Sequence, residues 1–106
     1  MSSEEKISSF IEIAAEVAAR NRYKYDLRLS HINSNEAHQK RQIYTSEGKE
    51  QVYLSVDTEN GGFEVFDNKL NYLNQYKFNG DFDKKSDPIN HWIVLKNGDH
   101  RKKRKR

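Results

Sequence analysis

The amino-acid sequence predicts an α+β fold, in which an N-terminal helix packs on a small, twisted antiparallel sheet of five or six strands. Three observations lead to this fold class. Apolar residues recur at helical spacing at the start of the chain, and from residue 22 onward the apolar period changes to two. Turn residues separate the short runs, with no internal repeat and no linker. The 106 residues, of which 34% are hydrophobic, are expected to form one domain over residues 1–100 with a thin core.

Residues 3–21 are predicted to form the helix. Ser2 and Glu5 have the spacing of a capping box, in which side chains satisfy the free backbone N–H groups at a helix start. The apolar residues of this segment are Ile7, Phe10, Ile11, Ala14, Val17 and Ala18. Because they recur at intervals of three and four, they share one face, which is expected to pack on the sheet.

The sheet is predicted to occupy residues 22–96. Its first strand is expected where Tyr23, Tyr25, Leu27 and Leu29 alternate with charged residues. Residues 30–40 are polar and aperiodic, which predicts a loop. Further strands are predicted over residues 41–45, 52–57, 63–66, 70–78 and 89–96.

The pair Asn60-Gly61 predicts a tight hairpin turn, because a type I′ turn requires positive φ at both central residues. Such a turn would place the carboxylates of Asp57 and Glu64 directly opposite each other. The core face of the hairpin is predicted to carry Leu54, Val56, Phe63 and Val65. The opposite face, predicted to be exposed, carries Tyr53, Ser55, Asp57, Glu64 and Phe66. Two neighbouring carboxylates can serve acid–base catalysis, but charged residues beside a turn also commonly point into water.

The net charge of +3 is unevenly distributed. The last six residues are all basic: Arg101, Lys102, Lys103, Arg104, Lys105 and Arg106. Without these six charges the rest of the chain carries −3. Such a block cannot pack in a core, so residues 101–106 are predicted to be a disordered tail that binds a polyanion such as RNA, or one that serves only solubility or localisation.

Several classes of protein are disfavoured. The absence of cysteine excludes a disulfide scaffold and a cysteine-ligated zinc site. No metal-ligand spacing, phosphate-binding glycine loop or Ser-His-Asp arrangement is present, so neither a metal nor a cofactor is predicted. No apolar run is long enough to span a membrane, and the N-terminus lacks a signal-peptide pattern, so a soluble protein is expected.

The hairpin contains a recognisable motif. Tyr53 precedes the run DTENGGFE over residues 57–64, and Phe66 follows two positions later. This order resembles the active-site signature of the C-terminal ribonuclease domain of the ribosome-inactivating colicins and cloacins, in which a strand tyrosine precedes Asp-x-x-His-Gly-x-x-Glu and an aromatic residue follows. The domain of that family has a helical N-terminal part and a highly twisted antiparallel sheet. The signature histidine is replaced here by Asn60, which cannot transfer a proton.

Shorter matches flank this signature. Upstream, the family has a basic pair, an aromatic-Thr step and a glycine turn, similar to Lys40-Arg41, Tyr44-Thr45 and Gly48. Downstream, it has an aromatic-Asp step and an Asp-Pro step before a basic end, similar to Phe82-Asp83, Asp87-Pro88 and the tail. The resemblance spans residues 40–88.

The resemblance implies a metal-independent endoribonuclease toxin that cleaves RNA through attack of a ribose 2′-hydroxyl. Glu64 would be the general base, and Asp57 would tune it or orient the acid. Lys40 or Arg41 would stabilise the charge of the phosphorane. His91 is the best substitute for the missing histidine, because it lies on a predicted strand, although a lone strand histidine is often structural. The aromatic residues expected to stack on unpaired bases are Tyr44, Tyr53 and Phe66.

The resemblance also implies partners and a place of action. The family acts on the decoding region of small-subunit ribosomal RNA, so the ribosome would be the target and the cytoplasm the site of action. An acidic immunity protein protects the producing cell, so a cognate immunity or antitoxin protein is a further expected partner.

Two alternative functions remain open at the level of sequence. The first is a nucleic-acid-binding module without catalysis, which would use exposed aromatic residues on the sheet together with the basic tail. The loss of histidine at Asn60 favours this alternative. The second is an interaction domain, such as an antitoxin, an inhibitor or an accessory factor of a mobile element, whose acidic body mimics nucleic acid.

Overall fold

The computed structural model describes residues 3–85, 91–96 and 98. The elements are α1 (Ser3–Arg20), β1 (Tyr23–Tyr25), α2 (Leu27–Ala37), β2 (Ile43–Ser46), β3 (Tyr53–Asp57), β4 (Gly62–Phe66), β5 (Tyr72–Lys77) and β6 (Phe82–Lys85). The six strands form one antiparallel sheet in sequential order, with β1 and β6 at its edges. The predicted α+β fold, with an N-terminal helix on an antiparallel sheet, is thus confirmed. Ser2 and the tail lie outside the described residues.

One face of the sheet is covered by α1. Ala14 and Ala18 of this helix are buried against four residues of the sheet, namely Tyr44, Leu54, Val56 and Phe63. At the end of the same face, the ring of Phe10 contacts that of Phe78 edge-on, with centroids 5.9 Å apart. The predicted core side of the hairpin is therefore correct, and we call it the α1 face.

The other face of the sheet, the α2 face, carries a second core. Leu29 of α2 and Ile93 of the C-terminal segment pack there with Ile43, Tyr53, Phe66, Leu70 and Tyr72. Phe66 and Ile93 are completely buried. The expectation that this face of the hairpin is exposed was wrong, because the sequence supplies two further segments to cover it.

The helix α2 was missed by the sequence analysis, which predicted a strand through Leu29 and a loop over residues 30–40. Asp26 ends the short first strand and caps the helix: its Oδ1 accepts a hydrogen bond from the backbone N of Leu29 at 2.9 Å. The helix ends at His38, whose left-handed φ of 56° stops it. Only Leu29 and Ile32 provide an apolar anchor among the buried residues of this helix, so its polar composition concealed its periodicity.

The C-terminal part of the sheet also differs from the prediction. The last strand of the described residues, β6, lies at Phe82–Lys85, between the strands predicted over residues 70–78 and 89–96. Residues 91–96, predicted to be the end of a strand over 89–96, are not a strand, and residues 89 and 90 lie outside the described range. Instead, segment 91–96 packs across the α2 face, where Ile93 and Val94 have no exposed surface.

The hairpin between β3 and β4 has a longer loop than predicted. Asp57 pairs with Gly62, and Glu64 pairs with Ser55, so the loop comprises the four residues 58–61 instead of a two-residue turn. The strands are shifted by two positions, which keeps every side chain on its predicted face. Asp57 and Glu64 therefore share a face, as predicted, but the prediction that they stand directly opposite each other was wrong.

Candidate active site

A row of polar side chains crosses the α2 face next to its apolar core. Ser55 of β3, Glu64 of β4 and Gln75 of β5 are direct cross-strand partners and therefore lie side by side. Ser55 is 2% exposed and Gln75 is 1% exposed, whereas Glu64 is half-buried. Burial of a polar side chain costs free energy unless the side chain is hydrogen-bonded. The residues of this row are therefore candidates for a functional role.

The central residue of the row, Glu64, contacts His91 of the C-terminal segment. The Oε2 atom of Glu64 lies 3.2 Å from the Nε2 atom of His91, and both side chains are largely shielded from water. The imidazole also stacks on the ring of Tyr72, with centroids 4.3 Å apart and planes 13° from parallel. In such a pair the carboxylate can accept a proton and the protonated imidazole can donate one.

A buried cation lies beside this pair. The guanidinium of Arg41 donates to the Trp92 carbonyl at 2.7 Å and to Ser55 Oγ at 2.8 Å, and it stacks on the Trp92 ring at 4.9 Å. Burial lowers the pKa of Arg41 to about 10, while the negative charge of Glu64 acts in the opposite direction. Arg41 is therefore positively charged at neutral pH, and these contacts fix the orientation of its guanidinium.

Asp57 has a different environment. Its Oδ1 accepts from the backbone N of Glu59 at 2.9 Å and of Asn60 at 3.1 Å, while its Oδ2 accepts from Asn60 Nδ2 at 3.1 Å and from Gln75 Nε2. Four donors thus occupy the carboxylate and fix the loop over residues 58–61. Such a carboxylate orders the wall of the site, and its lone pairs are already used.

Two adjoining cavities open onto these residues. The first, which we call the basic cavity, has a volume of about 150 Å³ and is lined by Lys40, Arg41, Ser55 and Trp92 among others. The second, the loop cavity, has a volume of about 440 Å³ and is lined by Asp57, Glu59, Asn60, Gln75 and His91 among others. Gln39, Thr58 and Glu64 line both. Glu64 therefore lies where the basic cavity meets the loop cavity, whose lining includes the carboxylates of Asp57 and Glu59.

The structure brings together most of the residues that the sequence analysis singled out for catalysis. Glu64 contacts His91, Arg41 interacts electrostatically with Glu64, and the exposed Lys40 lines the basic cavity with Arg41 and Glu64. Asn60, at the position of the signature histidine, contacts Asp57 and lines the loop cavity. The basic residues 101–106 lie outside the described part of the chain.

The aromatic residues expected to stack on bases are placed differently. Tyr44 is 5% exposed, Tyr53 is 8% exposed and Phe66 is completely buried. Tyr44 belongs to the core under α1, whereas the other two belong to the core of the α2 face. The expectation that these three rings are exposed stacking surfaces was wrong. Exposed aromatic side chains of the sheet are instead Tyr25 of β1 and Phe82 of β6, on its two edge strands.

Four residues of the site were not predicted from sequence: Ser55, Tyr72, Gln75 and Trp92. A signal for two of them existed, because Ser55 and Gln75 are polar residues of predicted strands on the same face of the sheet as Glu64. Trp92 directly follows His91, but its role depends on the path of a segment whose structure the sequence does not reveal.

Within the described residues, no group of three or more His, Asp or Glu side chains is arranged to hold a metal ion. No helix in that part of the chain is both long and apolar enough to cross a membrane. No family model, no curated protein and no solved structure matches the chain.

Proposed function

We propose that this protein is a metal-independent endoribonuclease in which Glu64 and His91 are the general base and the general acid. The observation that carries the proposal is the 3.2 Å contact between these two side chains beside the buried guanidinium of Arg41. Cleavage of RNA without a metal requires a base, an acid and a cation for the phosphorane charge, and these three groups supply them.

The two cavities suit the two halves of a nucleotide. The basic cavity, with Lys40 and Arg41, is suited to the scissile phosphate, because cations and guanidinium donors match its charge and geometry. The loop cavity is larger and has amide and carboxylate groups on its wall, which suits a ribose with its base. A base for the 2′-hydroxyl must stand between phosphate and ribose, and Glu64 lines both cavities.

The proton balance of the reaction fits this pair. Glu64 accepts the proton of the 2′-hydroxyl, whose oxygen forms a bond to phosphorus as the bond from phosphorus to the 5′-oxygen breaks. Protonated His91 gives its proton to the leaving 5′-oxygen, so the products are a 2′,3′-cyclic phosphate and a 5′-hydroxyl. Because Glu64 and His91 are 3.2 Å apart, the proton gained by the carboxylate can pass to the imidazole and restore both groups.

In this proposal His91 replaces the signature histidine, whose position is occupied by Asn60. The imidazole comes from the C-terminal segment and reaches the same carboxylate that the signature provides. Asp57 then acts as a positioning residue, since its oxygens hold the loop that carries Asn60.

Ribosomal RNA is the proposed substrate, on the basis of the signature around Asp57 and Glu64 and its flanking basic residues. The same resemblance supports an immunity or antitoxin protein as a partner. The RNA would be held partly through sequence-independent phosphate contacts of the tail.

The test is incubation of the protein with intact ribosomes, followed by analysis of the RNA for one discrete fragment. We expect the Glu64→Gln variant to lose about a hundredfold to ten-thousandfold in cleavage rate, because the amide keeps the shape but cannot accept the proton. His91→Gln should lose a similar factor. Glu12→Gln, the same chemical change on the exposed side of α1, is the matched control and should cleave like the wild type.

Each outcome decides a different point. Wild-type protein that binds RNA without cutting it in ribosomes or in isolated ribosomal RNA would contradict the proposal and favour the binding module. Full activity of Glu64→Gln would show that this carboxylate is not the base. A requirement for added divalent metal, shown by inactivation with a chelator, would contradict the metal-independent mechanism.

A further inference from the structure

Segment 91–96 carries His91 to the site but is not itself a strand of the sheet. Side chains of α2 hold its backbone instead: Arg28 Nη1 donates to the carbonyl of Leu95 at 3.3 Å, while Asn33 Oδ1 accepts from the backbone N of Val94 at 2.8 Å and Asn33 Nδ2 donates to the carbonyl of Val94 at 2.9 Å. Asn33 has no exposed surface. Its amide therefore satisfies both backbone groups of Val94, as the edge of a neighbouring strand would.

The same amide also reaches the cation of the site. Arg41 Nη1 lies 3.5 Å from Asn33 Oδ1 while it donates to the carbonyl of Trp92 at 2.7 Å. The two residues thus hold the segment at Trp92 and at Val94, on either side of the buried Ile93. This leaves the backbone next to His91 little freedom to move.

We infer that Asn33 is a positioning residue that holds segment 91–96 so that the imidazole of His91 meets Glu64. The inference rests on the proposed function for its effect on cleavage, but its geometric content stands on the contacts alone. The position of the imidazole is demanding, because the ring must stack on Tyr72 at 4.3 Å and contact Glu64 at 3.2 Å together. A displacement of about 1 Å at such a pair can cost about a hundredfold in rate.

The chemistry of the side chain explains why asparagine is suited to this position. Alanine would leave a buried N–H and a buried carbonyl of Val94 without their Asn33 partner, which favours movement of the segment. Aspartate is nearly isosteric and keeps the acceptor for the N–H, but in place of the donor it turns an oxygen toward the carbonyls of Val94 and Leu29. Alanine therefore removes the connection, whereas aspartate keeps one of its bonds and opposes the other.

Ser30 provides a matched control on the same helix. Its hydroxyl bridges α2 to the sheet, accepting from the backbone N of Ile43 at 2.8 Å and lying 3.3 Å from the carbonyl of Ile43. It is as deeply buried as Asn33 but connects α2 to β2 and not to segment 91–96. Ser30→Ala therefore loosens the packing of α2 without releasing the segment that carries His91.

The experiment has one readout that depends on activity and one that does not. Cleavage of ribosomal RNA should fall about tenfold to a hundredfold in Asn33→Ala and in Asn33→Asp, and by less in Ser30→Ala than in either, at a temperature where all are folded. Separately, the NMR signals of the His91 ring, identified by their loss in His91→Gln, are compared with and without Glu64→Gln. The Glu64 substitution should shift these signals in the wild-type and Ser30→Ala backgrounds but not in Asn33→Ala.

Retention of the Glu64-dependent shift in Asn33→Ala would overturn the inference. Loss of the shift in Ser30→Ala to the same extent would also overturn it, because loosening of α2 in general would then be the cause. If Asn33→Ala does not fold, the same comparison is made with Asn33→Asp. If the wild type never cleaves RNA, the proposed function fails, whereas the NMR comparison still decides the positioning role.

Discussion

At the scale of single residues, the two carboxylates of the hairpin have separate duties. Asp57 is surrounded by donors from its own loop and from Gln75, while Glu64 faces a histidine and lies near an arginine. A carboxylate saturated by donors stabilises structure, and one next to an acid partner and a cavity can exchange a proton. The short sequence interval between them gives no hint of this division.

The first residue-scale prediction concerns stability. Asp57→Asn should lower the free energy of unfolding by about 1–3 kcal/mol, because the new amide turns a donor toward the donors of Asn60 and Gln75 in a buried place. Glu64→Gln should lower it less, since Glu64 makes no such set of contacts with its own loop. Urea denaturation of both variants measures the difference.

Asp67 offers the control for that prediction. It accepts from the backbone N of Lys69 and of Asn71 and from Asn71 Nδ2, so it holds the next loop in the way that Asp57 holds its own. Because Asp67 is more exposed, Asp67→Asn should be milder than Asp57→Asn and should leave cleavage unaffected. Unchanged stability of Asp57→Asn would show that its carboxylate does not hold the loop.

The residues of the site were predictable from sequence to an uneven degree. Short motifs predict Glu64 and Arg41 as site residues, and the predicted strand over residues 89–96 favours His91. Tyr53 and Phe66 were misjudged because alternation assigns a residue to a face but does not say whether another segment covers that face. In this chain α2 and segment 91–96 cover it.

At the scale of elements, α2 illustrates why a polar segment can be a helix. Its capping residue, Asp26, lies inside an alternating run that extends a strand pattern, so local propensity and the tertiary structure disagree there. The buried positions Ser30 and Asn33 are polar and bond to the backbone of neighbouring elements. A hydrophobic pattern cannot reveal such a helix, because hydrogen bonds provide much of its attachment.

In the hairpin, by contrast, the alternation of apolar residues predicts the correct faces of the strands although the predicted length of the turn was wrong. A two-residue turn and the observed four-residue loop differ by two positions, so both bury Val56 and Phe63 on the α1 face. The loop is selected by Asp57, whose backbone carbonyl accepts from Gly61 at 3.0 Å and whose side chain accepts from residues 59 and 60. The preference of Asn-Gly for a two-residue turn takes no account of these hydrogen bonds to Asp57.

The element-scale prediction concerns the close approach of β4 and β5. A Cβ added at Gly62 would lie 2.2 Å from the carbonyl oxygen of Tyr76, so Gly62→Ala must separate these strands. We expect a loss of at least about 2 kcal/mol in the free energy of unfolding. Amide hydrogen exchange along β4 and β5 should accelerate as the pairing weakens.

Gly48→Ala is the control for this effect. Gly48 lies between β2 and β3 with φ of +113°, and no atom lies within 4 Å of an added Cβ, so strain there is local to the loop. Exchange in β4 and β5 should then stay close to that of the wild type. Equal acceleration in both variants would show that the contact at Tyr76 is not the cause.

At the scale of the whole molecule, the proposed site and most of the excess positive charge lie in different parts of the chain. The α2 face gathers the proposed catalytic groups and the cation Arg41, while the last six residues hold more positive charge than the net +3 of the protein. The remainder carries −3, which repels a polyanion at long range. We therefore expect specific positioning of RNA to come from the site and most of the long-range attraction to come from the basic tail.

The whole-molecule prediction is that removal of residues 101–106 weakens RNA binding without unfolding the protein. Six lysine and arginine side chains can neutralise up to six phosphates, and each contact on single-stranded RNA contributes about 0.7 to the slope of log affinity against log salt. Truncation should therefore reduce the magnitude of this slope by up to about 4.

Binding is measured by fluorescence anisotropy in the Glu64→Gln background, so that cleavage does not interfere. A second variant replaces the six residues by glutamine. Both variants should lose the same affinity if charge is responsible, and thermal unfolding should remain cooperative. Unchanged affinity and slope would show that the tail does not contact RNA, whereas loss of cooperative unfolding would show that it stabilises the fold.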